Sequence, residues 1–152
     1  MQVRVFKKED SDAVKDLILD ILTKEYPFDK SAYSDSDLFN LSDTYSGPRE
    51  NFFVLEENKN IIGTVGIKED SEDVAILRRL FVESKYRGKG YGALLMAEAT
   101  KFCKEKSYGS LVFRTTNRMK QAIELCKKNG FEKEEELDLQ GFQIYKFVLK
   151  LA

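Results

Sequence analysis

The sequence predicts a mixed α/β fold in which three successive strands precede a glycine-rich loop and the helix that it opens. Apolar residues recur at helical spacing in some segments and alternate or form short apolar runs in others. Polar or glycine-containing turns separate these segments, and the predicted order is β–α–α–β–β–β–α–β–α–β–β. No repeat, linker or low-complexity stretch divides the chain, so we expect one domain over residues 1–152.

The first half of the chain predicts a strand, two helices and a hairpin. Residues 2–7 alternate between apolar and polar side chains, as a strand does, and the apolar positions within residues 14–22 fall at helical spacing. A second, short helix is predicted within residues 38–45. Residues 51–56 and 61–68 have the pattern of two hairpin strands, and the two glycines of the second strand indicate a bulge or a close backbone approach.

The centre of the chain is a strand, a glycine-rich turn and a helix. The strand covers residues 74–82 and contains Arg78 and Arg79, which strand alternation places on opposite faces of the sheet. The turn covers residues 87–92. The helix that follows has apolar side chains on one face up to Phe102.

Beyond this helix the sequence predicts one strand, one helix and two final strands. The strand covers residues 110–114, and the helix covers residues 117–128 with Asn117 as a candidate N-cap. The final strands cover residues 131–139 and 141–149. The many acidic residues of the first of these indicate its solvent-facing side.

The glycine-rich turn is a candidate phosphate site, because Gly88, Gly90 and Gly92 allow close backbone approach and the helix N-terminus carries partial positive charge. A Walker A loop is excluded, because Lys89 is followed by glycine rather than by Ser or Thr. A dinucleotide fingerprint is formally matched by Gly88, Gly90 and Ala93. It is disfavoured because the next predicted strand ends without an acidic residue and because three strands precede the loop.

Composition limits the classes of function. The chain has 152 residues, 42% hydrophobic and 34% charged, with a net charge of −1 and no apolar run near the ~20 residues that cross a membrane. We expect no nucleic-acid or membrane partner and, with no signal-peptide pattern, a cytoplasmic location. The two cysteines lack metal-site spacing and are expected to be reduced thiols. The absence of histidine excludes His-based triads and His metal sites.

Two segments resemble the GNAT superfamily of acetyl-CoA-dependent N-acetyltransferases, and the resemblance extends along nearly the whole chain. Residues 77–92, LRRLFVESKYRGKGYG, contain the pattern Arg-x-x-Gly-x-Gly, and residues 117–131, NRMKQAIELCKKNGF, resemble an A-x-x-x-Y-x-x-x-G-F ending. The resemblance implies a GNAT-like fold. Its central sheet of about seven strands is mixed but mostly antiparallel, carries four helices on both faces, and is splayed between the fourth and fifth strands.

The resemblance also implies acetyl-CoA as co-substrate, with no metal. The backbone of Leu80, Phe81 and Val82 would pair with the pantetheine arm like an added strand. Asn117 matches a position that often contacts the cofactor. Backbone amides at the helix N-terminus would hold the pyrophosphate, and they belong to Arg87, Gly88, Lys89, Gly90, Tyr91, Gly92 and Ala93.

One departure from the family pattern concerns the general base. An amine with a pKa near 10.4 is neutral in only about one molecule in 2,500 at pH 7, so a proton must be removed before attack. Many relatives have a glutamate where this chain has Ile76. The alternatives are Glu69, Glu83, a carboxylate from residues 26–45, and a water held by backbone carbonyls.

A second departure is Cys126, which stands where the family usually has a tyrosine that protonates the leaving thiolate. A thiol with a pKa of ~8.5 could donate that proton. Cys126 could also become an acetylated nucleophile, or it could be a small core residue, since free cysteine is commonly buried.

The leading functional hypothesis is an N-acetyltransferase whose amine acceptor attacks acetyl-CoA directly in a ternary complex. The acceptor, a small amine or a protein amine, would be selected by residues 26–45. Four aspartates in this segment hint at a cationic amine: Asp29, Asp35, Asp37 and Asp43. The alternative is a non-catalytic acyl-CoA-binding or sensing module, and a nucleotide-dependent reductase is a third. A homodimer is a tendency of the family.

Overall fold

The computed structural model describes residues 2–27 and 36–151, and it confirms the predicted order of elements. The strands and helices, in chain order, are β1 (Gln2–Val5), α1 (Ser11–Glu25), α2 (Leu41–Thr44), β2 (Asn51–Glu57), β3 (Asn60–Glu69), β4 (Val74–Val82), α3 (Tyr91–Glu105), β5 (Ser110–Thr116), α4 (Lys120–Lys128), β6 (Glu132–Leu139) and β7 (Phe142–Lys150).

The seven strands form one sheet in the order β1-β2-β3-β4-β5-β7-β6. Every neighbouring pair is antiparallel except β4 and β5, which are parallel. Residues 74–77 of β4 pair with residues 110–113 of β5, and the pairing ends there although β4 continues to Val82 and β5 to Thr116. The splay between the fourth and fifth strands is therefore confirmed, and it opens toward the glycine-rich turn.

The helices cover the sheet on both faces, as expected. Side chains of α3 and α4 pack in one apolar cluster with Phe53 and Leu55 of β2, and we call this side the α3/α4 face. Side chains of α1 and α2 pack in a second cluster with Phe52 and Val54, on the α1/α2 face. The alternation along β2 thus divides its four apolar side chains between two cores. None of the helices in residues 2–27 and 36–151 is long and apolar enough to cross a membrane.

The two glycines of β3 lie where the backbone is approached closely, as predicted. A Cβ atom at Gly63 would lie 2.9 Å from Leu95 Cδ1 and 3.1 Å from the Phe81 carbonyl oxygen. A Cβ atom at Gly66 would lie 2.8 Å from a ring carbon of Tyr45. The register between β3 and β4 also shifts between Thr64 and Gly66, which confirms a bulge at this point.

The bulge makes one expectation wrong. Arg78 and Arg79 do not lie on opposite faces, because both guanidinium groups reach the Asp37 carboxylate on the α1/α2 face. Arg79 has φ of 55°, and this left-handed residue interrupts the alternation of β4 immediately after Arg78. Thr64 Oγ1 donates a 2.7 Å hydrogen bond to the Arg79 carbonyl oxygen and so holds the bulge from the neighbouring strand.

Asn117 is not the N-cap of α4, which begins at Lys120 after Met119. The Asn117 side-chain oxygen instead accepts a 2.8 Å hydrogen bond from the Gln143 amide of β7, and the Asn117 amide donates to the Gln143 carbonyl at 3.0 Å. The expectation failed because the partner is a strand 26 residues away rather than the first turn of the helix.

β6 is the edge strand beside β7, and all eight of its residues are exposed. Its acidic side chains face solvent, as predicted. Leu137 and Leu139 are exposed as well, because this edge extends beyond both apolar clusters.

Candidate functional site

A cavity of about 390 Å³ lies where β4 leaves β5. Its walls are the end of β4, the glycine-rich turn, the first turn of α3 and one face of α4. All the residues predicted to contact a cofactor line this cavity, except Lys89 and Asn117. Most of the residues that the family resemblance assigned to the cofactor therefore lie on a single surface.

Sequence analysis missed several lining residues. Tyr26 after α1 and Tyr86 before the turn add aromatic walls, and Met119 lies at the start of α4. The face of α4 that lines the cavity carries Gln121, Glu124, Leu125 and Lys128. Their spacing is that of one helix face, but the sequence alone does not show that this face lies over the turn.

The turn has glycine where the backbone requires it. Gly88 has φ of 76° and Gly90 has φ of 84°, in a region that side-chain-bearing residues rarely adopt. A Cβ atom at either position would meet nothing within 4 Å, so the requirement is conformational and the space beside the turn is open. Gly92 instead allows α3 and α4 to pack closely. A Cβ atom at this position would lie 3.1 Å from Leu125 Cδ2 and would push the two helices apart.

The N-terminus of α3 faces the cavity with its backbone donors. Gly90 is the N-cap residue, and no side chain in the described part of the protein caps the helix there. The first N–H groups of α3 therefore remain for a ligand or water, and the helix dipole favours a negatively charged ligand. Tyr91, Gly92 and Ala93 carry these groups.

Arg87 lines the cavity and also holds the turn in place. Its Nε donates a 2.9 Å hydrogen bond to the Val82 carbonyl, and its guanidinium forms an ion pair with Glu25 at the end of α1. The hydrogen bonds that Arg87 donates to the Glu25 carboxylate raise the pKa of Arg87 above its ordinary value. The arginine of the Arg-x-x-Gly-x-Gly pattern thus connects the turn to both β4 and α1.

The β5-facing edge of residues 80–82 has no strand partner on β5. On its other side this segment pairs with β3, with Phe81 opposite Thr64 and Val82 opposite Gly63. Leu80 and Val82 pack against the α3/α4 cluster, whereas Phe81 packs against the α1/α2 cluster. An unpaired strand edge of this kind can bind an extended chain of amides.

Cys126 lies in the core of the α3/α4 face, with none of its surface exposed, and it is not among the residues that line the cavity. Burial raises the pKa of its thiol to about 12, so the thiolate is not populated at neutral pH. This placement favours the core role, and the general-acid role stays a prediction.

The candidate bases lie in different places. Ile76 is half-buried on β4, and Glu69 forms a 2.6 Å ion pair with Arg49 beside the first residues of that strand. Strand geometry separates this end of β4 from Val82 by about 20 Å. Glu83 follows β4, and its side chain lies 3.6 Å from Lys85. Neither glutamate lines the cavity.

A buried charge network lies beside the splay on the α1/α2 face. Asp37 is 5% exposed, and its carboxylate accepts hydrogen bonds from Arg79 Nε at 3.1 Å, from Arg79 Nη2 at 2.5 Å and from the Tyr45 hydroxyl at 2.8 Å. Burial by itself would raise the pKa of Asp37, but the hydrogen bonds and charge of Arg79 hold it below its ordinary value. Burial and the charge of Asp37 raise the pKa of Tyr45.

Three further aspartates hinted at a cationic amine acceptor. Asp43 is exposed on α2, and Asp29 and Asp35 lie outside the described residues. Across residues 2–27 and 36–151, no three Cys, Asp or Glu side chains converge in an arrangement that could hold a metal ion.

Comparison with known proteins identifies the family and the fold. A family model described as Acetyltransferase (GNAT) family matches residues 15–131. The chain is 29% identical over 84 residues to the probable N-acetyltransferase camello of Xenopus tropicalis. That match covers 54% of this chain and 38% of the relative, so the chain spans well under half of that relative's length.

Solved structures match over the whole chain. An acetyltransferase of the GNAT family from Staphylococcus aureus Mu50 superposes with a TM-score of 0.86 at 19% identity, covering 99% of each chain. The protein yncA from Salmonella typhimurium, whose structure includes its cofactor acetyl-CoA, superposes with a TM-score of 0.84 at 13% identity. The superposition covers 99% of this chain and 94% of the yncA chain. At these identities the similarity establishes the fold.

Removing the charge of Asp37 should destabilise the protein. Asp37→Asn leaves the Arg79 guanidinium buried without its counter-ion, which costs about 3–5 kcal/mol of unfolding free energy in comparable cases. Urea unfolding at pH 7 measures the loss, and Asp43→Asn, at an exposed position, is the control with a change within about 0.5 kcal/mol.

The same pair predicts a pH dependence. Because the folded-state pKa of Asp37 is lowered, its contribution is fully present above the unfolded value of about 3.9 and is lost as the pH falls through the folded value. Wild-type stability should therefore decline more steeply below about pH 4 than that of Asp37→Asn. Equal acid sensitivity of the two proteins would contradict this account.

Proposed function

Because the chain belongs to the acetyltransferase (GNAT) family, we propose that it transfers the acetyl group of acetyl-CoA to a primary amine. One observation carries the proposal. The unpaired edge of residues 80–82 and the glycine-rich turn at the N-terminus of α3 line one cavity. An edge suited to a chain of amides thus continues into a backbone site suited to phosphates.

Each part of acetyl-CoA fits a part of this surface. The pantetheine arm, with its two amides, would pair with the β4 edge at Leu80, Phe81 and Val82. The pyrophosphate would accept hydrogen bonds from backbone N–H groups between Arg87 and Ala93, where the positive φ values of the turn direct the chain around an open space. Lys128 on the cavity wall supplies a positive charge for the nucleotide phosphates.

The reaction that fits this arrangement is direct attack of the amine on the thioester. A bond forms between the amine nitrogen and the acetyl carbon, the bond from that carbon to sulfur breaks, and the amine loses a proton. Glu124 is the one carboxylate among the described residues that line the cavity, and it lies on α4 with Gln121 and Lys128. Glu69 and Glu83 do not line the cavity, so we assign removal of the proton to water at the cavity mouth rather than to either glutamate.

The leaving thiolate requires no dedicated acid in this proposal. Cys126 is buried away from the cavity lining and keeps its proton at neutral pH. Its packing with the apolar side chains of α3 supports a role in positioning α4 over the turn. A single sheet with strands from Gln2 to Lys150 supports one acetyltransferase domain over residues 1–152.

Substitution of Gly90 should abolish donor binding. At 100 times its dissociation constant, acetyl-CoA should stabilise the wild-type protein by about 2.7 kcal/mol, seen as a rise in melting temperature. Gly90→Val should lose most of that rise, because valine cannot adopt φ of 84° without moving the turn. Gly141→Val is the control for backbone strain, since Gly141 has φ of 87° in the β6–β7 connection, does not line the cavity, and should keep the full rise.

Two results would count against the proposal. A Gly90→Val protein stabilised as strongly as Gly141→Val would remove the turn from the binding site. A wild-type protein that binds acetyl-CoA but releases no free thiol with any amine would replace the transferase with a non-catalytic acyl-CoA-binding module.

Cys126→Ala should keep its activity. Its turnover number should stay within about twofold of wild type at each pH, while its stability falls by about 1 kcal/mol because a small buried volume is emptied. Cys103→Ala, which removes the other buried thiol, is the control. A loss of more than tenfold confined to Cys126→Ala, together with loss of an alkaline limb present in the wild-type pH profile, would establish Cys126 as a general acid.

A further inference from the structure

We infer that the amine acceptor carries a carboxylate, and that this group is bound by three cationic side chains on neighbouring strands: Arg78, Arg114 and Lys146. The inference rests on the proposed acetyl transfer and names the chemical class of its acceptor. It comes from the strand register, which aligns the three residues on the α1/α2 face beside the splay.

The strand register places these three cationic side chains side by side across the sheet, in what we call the cationic row. Leu77 pairs with Phe113, and both side chains belong to the α3/α4 cluster, so the next residues of both strands, Arg78 and Arg114, face the opposite side. Arg114 pairs directly with Lys146 of β7. Directly opposed side chains have Cβ atoms about 5 Å apart, so one carboxylate can contact more than one of the three cations.

The row retains positive charge. Asp37 is satisfied by Arg79 and Tyr45, and its nearest oxygen is 3.9 Å from Arg78 Nη2, whose side chain is 34% exposed. Lys146 lies 3.5 Å from Glu135, a carboxylate that is itself 69% exposed and therefore screened by water. Arg114 is exposed and has no ion-pair partner within the described segments.

This arrangement is unfavourable for the fold alone. Like charges directly opposite each other on neighbouring strands are destabilising, and Arg114 and Lys146 are such a pair. Residues that oppose local stability without a compensating contact are expected at functional positions. Exposed Glu135, 3.5 Å from Lys146, offsets only part of this repulsion. An anion bound between the strands would offset the rest, and arginine binds a carboxylate through two parallel hydrogen bonds.

The row lies where an acceptor bound to it could reach the thioester. Arg78 and Arg114 are the first residues after the last pair that joins β4 to β5, so they flank the opening of the splay. Leu80 and Val82 contact the α3/α4 cluster, which is the side of the sheet that carries the glycine-rich turn and α3. An acceptor held by the row on the α1/α2 face would reach the thioester from the other side.

The row argues against the hint of a cationic acceptor. That hint rested on four aspartates, of which Asp37 is neutralised by Arg79 and Asp43 is exposed on α2. Within the described residues, the charges nearest the splay on this face are thus predominantly positive.

Thiol release from acetyl-CoA should be measured with matched acceptors that differ in one charge. Alanine with alaninamide, and glutamate α-amide with glutamine α-amide, represent small amines, and C-terminally amidated tetrapeptides beginning with Glu or Gln represent peptide acceptors. The charged member of a pair should have a kcat/KM at least about tenfold higher, as expected for a charge-assisted hydrogen bond. Whichever source shows the preference identifies the acceptor as free or peptide-bound.

Arg114→Gln should raise the KM for the anionic acceptor by about tenfold and leave the KM for acetyl-CoA unchanged. Arg114→Lys should restore part of the difference. Lys104→Gln, which removes an exposed charge from α3, is the control and should change neither constant. A preference for neutral or cationic amines, or an unchanged acceptor KM in Arg114→Gln, would overturn the inference while the transferase proposal stands.

Binding without turnover gives a second measurement. Glutarate, a dicarboxylate with no amine, should raise the melting temperature of the wild-type protein above that in sodium chloride of equal ionic strength, and Arg114→Gln should lose this rise. If no amine is acetylated and glutarate stabilises both proteins equally, the inference fails. Failure of the transferase proposal is recognised separately, by the absence of stabilisation by acetyl-CoA.

Discussion

The site depends on two parallel strands that stop pairing halfway along their length. β4 and β5 share backbone hydrogen bonds up to Leu77 and Phe113 and then diverge. Buried backbone groups without partners cost about 1–3 kcal/mol each, so the groups on the free edge of β4 that Arg87 does not bind require water or a ligand with amides.

Other contacts keep the free half of β4 in place. β3 pairs with it on the opposite edge, and the bulge at Arg79 is fixed by Thr64 and by the buried pair with Asp37. Arg87 then fastens the turn to the Val82 carbonyl and to α1. The ion pairs thus support an edge that has no strand beside it, and they explain why charged residues are buried here.

Local patterns in the sequence were sufficient to predict the order of elements and the glycine-rich turn, and the resemblance to the GNAT superfamily added about half of the cavity lining. Each depends on neighbouring residues, such as the left-handed angles that make glycine necessary at positions 88 and 90. The Asp37–Arg79 pair could not be predicted, because it joins residues 42 positions apart. The bulge that turns Arg79 toward Asp37, and the bond between Asn117 and β7, are likewise decided by tertiary contacts. The cationic row required the register of three strands.

Hydrogen–deuterium exchange with and without acetyl-CoA tests the central claim most directly. If the donor pairs with the β4 edge and the turn, amides within residues 80–93 should exchange more slowly when acetyl-CoA is present. Amides of the β3–β4 connection, at the opposite end of β4, should be unaffected. Unchanged exchange over residues 80–93 in a protein saturated with acetyl-CoA would contradict the account, because the donor would then bind elsewhere.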